Sequence, residues 1–171
     1  MRCKERCAIA GRGSAKITDV GPTLYLTCGL PGSGKTTRAL QIEAATGAIR
    51  LNADEWICDL YPNDAEAAAR DQRRDHVERV QWQLVERLLG SGVSVVLDWG
   101  LWTREERAGY RQRGEALGAL VQIEFSDAPL EELQRRVADR NEDLAPGAFH
   151  ISADEMKEFA ALFERPTADE L

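Results

Sequence analysis

Residues 24–40 read Leu-Tyr-Leu-Thr-Cys-Gly-Leu-Pro-Gly-Ser-Gly-Lys-Thr-Thr-Arg-Ala-Leu, and this stretch decides how the chain folds. Its apolar first part predicts a β-strand, and its last part, rich in alanine and leucine, predicts an α-helix. Between the two lies Gly29-x-x-x-x-Gly34-Lys35-Thr36, the spacing of a loop that holds phosphate groups. A strand, a glycine-rich loop and a helix in this order predict an α/β domain that binds a nucleotide.

The chemistry of a triphosphate explains why the loop has these residues. Several negative charges can be held only by backbone N–H groups that turn towards them, and bulky side chains would obstruct that arrangement. Lys35 is expected to place a cation against the β- and γ-phosphates, and Thr36 to offer its hydroxyl to Mg²⁺. The sequence therefore predicts ATP and Mg²⁺ as cofactors, with the nucleotide held by Gly29, Gly32, Ser33, Gly34, Lys35, Thr36 and Thr37.

Length and composition indicate one globular domain without a membrane anchor. The chain has 171 residues, of which 43% are hydrophobic and 30% charged, and no apolar run approaches the roughly 20 residues that span a bilayer. The four cysteines form no Cys-x-x-Cys pair, and no apolar signal-peptide core follows Met1. These features predict a protein of the reducing cytoplasm.

Charge is distributed unevenly along the chain. Residues 1–21 carry five basic and two acidic side chains, a charge of +3, so the total of −7 leaves −10 on residues 22–171. We expect residues 1–21 to be a disordered basic tail, either an extension without function or an arm for nucleic acid, and residues 22–171 to be the folded domain. A domain this acidic repels a polyanion, so its electrostatic field favours a small substrate over nucleic acid.

Asp54 is the candidate catalytic base. Residues 48–52 predict a second strand, and an acidic side chain just beyond the carboxyl end of a strand lies on the edge where open α/β sheets bind their ligands. A second interpretation makes Asp54 the N-cap of the short helix that follows.

Asp98 ends another predicted strand, residues 93–98, and resembles a Walker B carboxylate that would reach Mg²⁺ near Thr36. The next residue is Trp99, where many ATP-hydrolysing motors have a glutamate. The chain also has no Asn-Lys-x-Asp motif for reading guanine. Both features favour a kinase over a motor or a switch GTPase.

Other elements follow from hydrophobic period and capping signals. A long helix is expected over residues 64–89, with a charged face at residues 71–79 exposed mainly to solvent. Its core stripe is expected to consist of Val77, Val80, Leu84 and Leu88, with Gln81 and Val85 beside them. Helices are also expected over residues 104–117, from residue 127, and from Ser152 to about residue 163, with a strand over residues 120–125. The ordered part is predicted to end at residues 163–166.

Substrate and phosphate contacts are expected from two further groups of residues. Trp99 and Trp102 would wall a substrate pocket or pack in the core, and Arg104, with Arg107, would reach the site or form surface ion pairs. Arg136 and Arg140 lie four residues apart on one predicted helix face, where they would close over ATP or pair with nearby acidic side chains.

The chain resembles the small P-loop kinases that include zeta-toxin-like kinases, chloramphenicol phosphotransferase and the kinase domain of polynucleotide 5′-kinases. The similarity runs from Leu24 to Pro166 and is strongest at residues 29–37, 52–54, 96–98, 136–141 and 163–166. It implies a P-loop NTPase fold with a parallel sheet in the order 2-3-1-4, a possible fifth strand, helices on both faces, and a lid around residues 129–148.

The resemblance also implies roles for individual residues. Asp54 would take a proton from the substrate hydroxyl, and Arg136 and Arg140 would bind phosphates. Polynucleotide kinases of this group carry an arginine three residues after the catalytic aspartate, and here that position is Ile57.

The sequence therefore predicts a kinase that moves the γ-phosphate of ATP to a hydroxyl of a small molecule. Two alternatives stay open: a polynucleotide 5′-hydroxyl kinase, and a regulatory module that binds ATP without transferring phosphate.

Overall fold

A computed structural model describes residues 21–61, 67–144 and 148–171, with residues 67–71 described by their backbone alone. The predicted basic tail, except Gly21, lies outside these ranges, as do residues 64–66 of the expected long helix. The elements in chain order are β1 (Thr23–Cys28), α1 (Lys35–Thr46), β2 (Ile49–Leu51), α2 (Ala53–Leu60), α3 (Ala67–Gly90), β3 (Val95–Gly100), α4 (Arg104–Ala116), β4 (Leu120–Phe125), α5 (Leu130–Glu142) and α6 (Ala153–Leu162).

Four parallel strands form one sheet in the order β2-β3-β1-β4, which confirms the predicted topology. β1 pairs with β3 on one side and with β4 on the other, so the phosphate loop leaves the middle of the sheet. Every residue of β3 is buried, as expected of a strand covered on both faces. The described part of the chain contains no fifth strand.

Helix α3 covers the sheet with most of the predicted stripe: Val77, Gln81 and Val85 are buried, and Leu84 and Leu88 pack partly buried against the core. Its buried side chains include Gln81, Trp82, Val85 and Leu89, whereas Val80, which we placed in the core stripe, is 40% exposed. The indole of Trp82 packs on the ring of Tyr110 in α4, with centroids 5.1 Å apart. Large aromatic rings bury more apolar area than a valine does, so the helix turns Trp82 rather than Val80 towards the sheet.

Local capping signals in the sequence are reproduced in the fold. Thr103 with Glu106 and Ser152 with Glu155 form the capping boxes at the starts of α4 and α6. Each box satisfies two backbone N–H groups at the start of a helix that would otherwise lack a partner.

The expectation that order ends near Pro166 is wrong. Thr167 and Glu170 form a turn that lies against α4, where the buried guanidinium of Arg107 donates from Nε and Nη2 to the Glu170 carboxylate at 2.7 and 3.1 Å. The Nη1 group of Arg107 donates to the carbonyl oxygens of Trp102 and Glu164. Arg107 thus fixes the last residues of the chain, and these acceptors compensate for the burial of its charge.

None of the helices in the described ranges combines the length and the apolar character that crossing a bilayer requires.

Candidate active site

The phosphate loop follows β1 and folds tightly against the start of α5. Gly29 has φ 144°, and a Cβ added there would lie 2.3 Å from the carbonyl oxygen of Ser126. Gly32 has φ 79°, and its Cβ would lie 3.0 Å from the carbonyl oxygen of Leu133. Glycine is therefore needed at both positions for two reasons, a left-handed backbone and a close approach by another segment.

Lys35 begins α1 and turns back over the loop, where its Nζ donates to the carbonyl oxygen of Leu30 at 2.8 Å. Burial lowers the pKa of Lys35 to about 8, and the nearby carboxylates of Asp98 and Asp54 oppose part of this shift. The lysine that our prediction assigns to phosphate thus lies near both predicted acidic residues. Thr36 and Thr37, in the first turn of α1, are exposed beside it.

Asp98 lies near the end of β3, with its side chain only 2% exposed. Its Oδ2 atom accepts three hydrogen bonds: from Arg50 Nε at 3.0 Å, from Arg50 Nη2 at 2.8 Å and from Asn52 Nδ2 at 2.9 Å. In the part of the chain that the structure describes, no hydrogen bond reaches Oδ1. Sequence reasoning missed Arg50. The available signal was a single cation placed between the two apolar residues of a short strand.

Asn52 joins three parts of the site. Its Oδ1 accepts from the N–H of Glu55 at 2.9 Å, its Nδ2 donates to Asp98, and its carbonyl oxygen accepts from Gln81 Nε2 at 3.0 Å. Asn52 is therefore the N-cap of α2, and the interpretation of Asp54 as that cap is wrong. The cap position requires a β-region backbone before the helix begins, and Asn52 has it, whereas Asp54 is already in the first helical turn.

Asp54 is partly exposed and forms an ion pair with Arg74 of α3. The side chains of Asp54 and Arg74 are 37% and 33% exposed. Glu78, one turn further along α3, lies 3.9 Å from Arg74, and burial raises its pKa to about 7. The sequence analysis assigned Arg74 to a solvent-exposed face. The structure instead makes Arg74 the partner of the candidate base.

Both predicted lid arginines lie at this site. Arg136 donates from Nη1 to the carbonyl oxygen of Gly32 at 3.2 Å and from Nε to Glu132 at 2.7 Å. Burial lowers the pKa of Arg140, and the charge of Asp54 opposes this shift. The Nε of Arg140 is buried and has no hydrogen-bond partner among the residues described. The surface pairing that we weighed as an alternative is made by Arg136, which contacts Glu132, while the neighbouring Arg135 contacts both Glu132 and Asp139.

The structure separates the three candidate substrate residues. Trp99 is 9% exposed and packs in the core, where its indole N–H donates to Gln81 Oε1 at 2.7 Å. Trp102 is half-buried on Phe159, yet its indole nitrogen lies near Gly100 on the side where Lys35 passes. Arg104 is exposed and bonds to Thr167 and Asp169 in the carboxyl-terminal turn. Of these three side chains, only that of Trp102 lies beside the phosphate loop.

The residues present fit a magnesium ion carried by a nucleotide. The described residues contain no cluster of three or more histidine, cysteine, aspartate or glutamate side chains that would hold a metal by themselves. A threonine hydroxyl at the loop and a single carboxylate oxygen left free on Asp98 are hard oxygen donors, which is what Mg²⁺ takes when phosphates supply its other ligands. Thr36 and Asp98 are the residues that would hold it.

Comparison with known proteins agrees with the fold. A family model described as an AAA domain matches residues 24–166, which include the loop, both acidic residues and the lid arginines. The chain belongs to this AAA domain family. Its fold is that of the P-loop NTPases, with kinase-like neighbours. The sequence of this AAA domain matches none of the curated proteins.

Solved structures share the fold of this AAA domain at low sequence identity. A candidate kinase from Chloroflexus aurantiacus superposes with a TM-score of 0.69 at 14% identity, over 83% of this chain and 76% of that one. Mycobacterium tuberculosis APS kinase CysC, in complex with AMPPNP and APS, gives a TM-score of 0.56 at 21% identity, over 86% of this chain and 84% of that one. A chain of the Pnkp1/Rnl/Hen1 RNA repair complex gives 0.67 at 22%, over 87% of this chain and 46% of that one.

Proposed function

We propose that the protein is an ATP-dependent phosphotransferase that moves the γ-phosphate of ATP to a hydroxyl of a small molecule. One observation supports this most strongly: Asp54 is a partly exposed carboxylate whose charge acts on both Lys35 of the phosphate loop and Arg140 of α5. An acid, a lysine and an arginine near one another are the groups that a phosphoryl transfer from nucleotide to alcohol requires.

The proposed reaction depends on positioning and charge more than on covalent chemistry. The glycine-rich loop and Lys35 hold the phosphates, and Arg136 and Arg140 stabilise the charge that spreads over the transferred group. Mg²⁺, when bound through Thr36 and Asp98, supplies further neutralisation of the phosphate oxygens.

Asp54 acts in this proposal as the general base. It accepts the proton of the acceptor hydroxyl as the oxygen attacks the γ-phosphorus, and the bond from that phosphorus to ADP breaks. Arg74 holds one oxygen of the Asp54 carboxylate and so fixes the direction in which the other oxygen points.

A small acceptor fits the chain better than a nucleic acid. Residues 22–171 carry a net charge of −10, which repels a polyanion. Ile57, at the position where related polynucleotide kinases have an arginine, is 1% exposed and packs in the core. APS kinase, whose structure contains APS, is a neighbour with a small-molecule ligand.

A polynucleotide 5′-hydroxyl kinase is the second candidate, favoured by the similarity to a chain of an RNA repair complex. It requires affinity for single strands that weakens as salt rises. No retention of a labelled oligonucleotide at low salt would exclude it. A regulatory ATP-binding module is the third candidate. Its affinity for a partner would differ with and without bound ATP, and it would phosphorylate no alcohol.

A screen of hydroxylated compounds, with ATP consumption and product mass as readouts, tests the first proposal. Asp54→Asn should keep ATP affinity while product formation falls by about 10²-fold or more, because the transferred proton has no acceptor. Asp59→Asn is the matched control, since Asp59 is an exposed carboxylate on the same helix. Turnover by Asp54→Asn equal to that of the control would contradict the assignment of the base.

A further inference from the structure

The site contains an arginine that the proposed mechanism does not use. Arg50 lies on β2 beside Val96 of β3, and its side chain reaches past the end of the strand to Asp98. Four of its N–H bonds are engaged. Nε and Nη2 donate to Asp98, and Nη1 and Nη2 donate to Glu55 at 3.1 and 2.7 Å. Each edge of the planar guanidinium therefore holds one carboxylate.

Burial shows which of the two carboxylates matters to the site. The side chains of Arg50 and Asp98 are 9% and 2% exposed, whereas that of Glu55 is 42% exposed. Glu55 thus clamps the guanidinium from the solvent side, and the guanidinium in turn grips the buried carboxylate. Two charge-assisted bonds from Arg50 converge on the single oxygen Oδ2 of Asp98, and together they hold that oxygen more firmly than one bond would.

The hydrogen bonds divide the two oxygens of Asp98. Arg50 and Asn52 donate three hydrogen bonds to Oδ2, and no hydrogen bond from the described residues reaches Oδ1. A carboxylate held by one oxygen presents the other in a fixed direction. Outer contacts of this kind set the orientation and the charge of groups that hold a metal.

We propose that Arg50 is a positioning residue that holds Asp98 so that its Oδ1 faces the magnesium ion of the bound nucleotide. This inference rests on the proposed function, because it assumes that Mg²⁺ enters with ATP. Glu55 supports Arg50 from the solvent side. Because Glu55 is also in the first turn of α2, the same contacts connect Asp98 to the helix that carries Asp54.

Lysine cannot replace this arginine fully. An ammonium group is a single point of charge with three donors, so it can neutralise Asp98 but cannot give two bonds to Asp98 and two to Glu55 from one rigid plane. Arg50→Lys should therefore restore part of what Arg50→Met loses. A role limited to filling space would give the opposite order, because methionine retains more apolar bulk than a buried ammonium allows.

Calorimetric titration of Mg²⁺ into protein that holds a non-hydrolysable ATP analogue tests the inference without an acceptor. Arg50→Met should raise the half-saturating Mg²⁺ concentration by about tenfold or more, while affinity for the analogue in EDTA stays unchanged. Glu55→Gln should raise it by about two- to threefold, since it loosens the clamp without leaving a buried charge unpaired. Arg87→Met, the same change at an exposed position of α3, should have no effect.

A double variant separates positioning from loss of stability. If Arg50 acts through Asp98, Arg50→Met combined with Asp98→Asn should be no worse than Asp98→Asn alone, whereas independent effects would add. The double variant also contains no unpaired buried charge, so it remains informative if Arg50→Met does not fold.

Three results would refute the inference, and a fourth would retain it while rejecting the proposed function. A folded Arg50→Met protein with the Mg²⁺ dependence of wild type would refute it, as would additive effects in the double variant. Wild-type protein that binds no magnesium nucleotide would refute it together with the proposed function. Protein that shows the expected Mg²⁺ shifts but phosphorylates no alcohol would retain the inference and reject the proposed transfer.

Discussion

The carboxyl-terminal turn should contribute strongly to stability through one buried ion pair. The perturbation is Glu170→Ala, which removes both acceptors of Arg107 Nε and Nη2. The side chain of Arg107 is 1% exposed and that of Glu170 is 10% exposed, so the truncation leaves a buried guanidinium with no carboxylate, only carbonyl oxygens and Cys28 Sγ, among its partners. Breaking a buried pair in this way costs about 3–5 kcal/mol.

We expect the low end of that range, about 3 kcal/mol, because Trp102 and Glu164 still accept hydrogen bonds from Arg107 and water can enter beside a chain end. For a chain of this size the loss corresponds to about 6–12 °C in Tm. Urea denaturation followed by circular dichroism measures the free energy of unfolding. Asp169→Ala is the matched control: the side chains of Asp169 and Arg104 are 65% and 57% exposed, so solvent screens their ion pair and its loss should change stability little.

Acid adds a second test of the same pair. Hydrogen bonds from Arg107 lower the pKa of Glu170 from 4.5 to about 2. A carboxyl whose pKa is lower in the folded state stabilises the fold above its unfolded pKa and loses that effect as pH falls towards the folded value. The difference in the free energy of unfolding between wild type and Glu170→Ala should therefore be constant at neutral pH and shrink between pH 4.5 and 2. Equal stability of Glu170→Ala and Asp169→Ala at pH 7 would refute the reasoning.

Three further predictions concern the site. Gly29→Ala should destabilise the fold by more than about 2 kcal/mol in urea denaturation, since its Cβ would lie 2.3 Å from a carbonyl oxygen, whereas Gly109→Ala, in open space on a helix, should not. Nucleotide affinity should be constant below pH 8 and fall about tenfold by pH 9 as Lys35, with its pKa of about 8, loses its proton. Calorimetry would show this, and Lys35→Met should give a flat profile. Arg74→Gln should lower kcat about 10-fold to 100-fold without changing ATP affinity, because it frees the orientation of the candidate base. Arg79→Gln on the same helix is the control, and equal kcat in the two variants would refute the role.

Those parts of the fold that depend on neighbouring residues were predictable from the sequence. The phosphate loop, both capping boxes and strand β4 are specified within a few positions, so their patterns can be read directly. The strand order was predictable for another reason: the resemblance to a known kinase group supplied it. The four-stranded parallel sheet confirms that order.

Partners brought together by crossovers were not predictable. Arg50 is 48 residues from Asp98, Arg74 is 20 residues from Asp54, and Arg107 is 63 residues from Glu170. A charged residue in a helix or strand pattern indicates only exposure on average, and it does not reveal which carboxylate a crossover will bring near. Val80 was misplaced in the core stripe of α3 for a related reason, because the helical period alone does not show that Trp82 is buried and Val80 is exposed.

The side chain of Asn52 accepts one hydrogen bond and donates another, and together these restrict which residue position 52 can hold. Aspartate would still accept from the helix N–H, but it would set a second negative charge against Asp98. Serine or threonine would accept as well, yet neither is long enough to donate to the neighbouring strand at the same time. Among active clones of a deep mutational library, this position should therefore be almost always asparagine. Glutamine and histidine carry their polar atoms at a different distance from the backbone, so they cannot make both bonds.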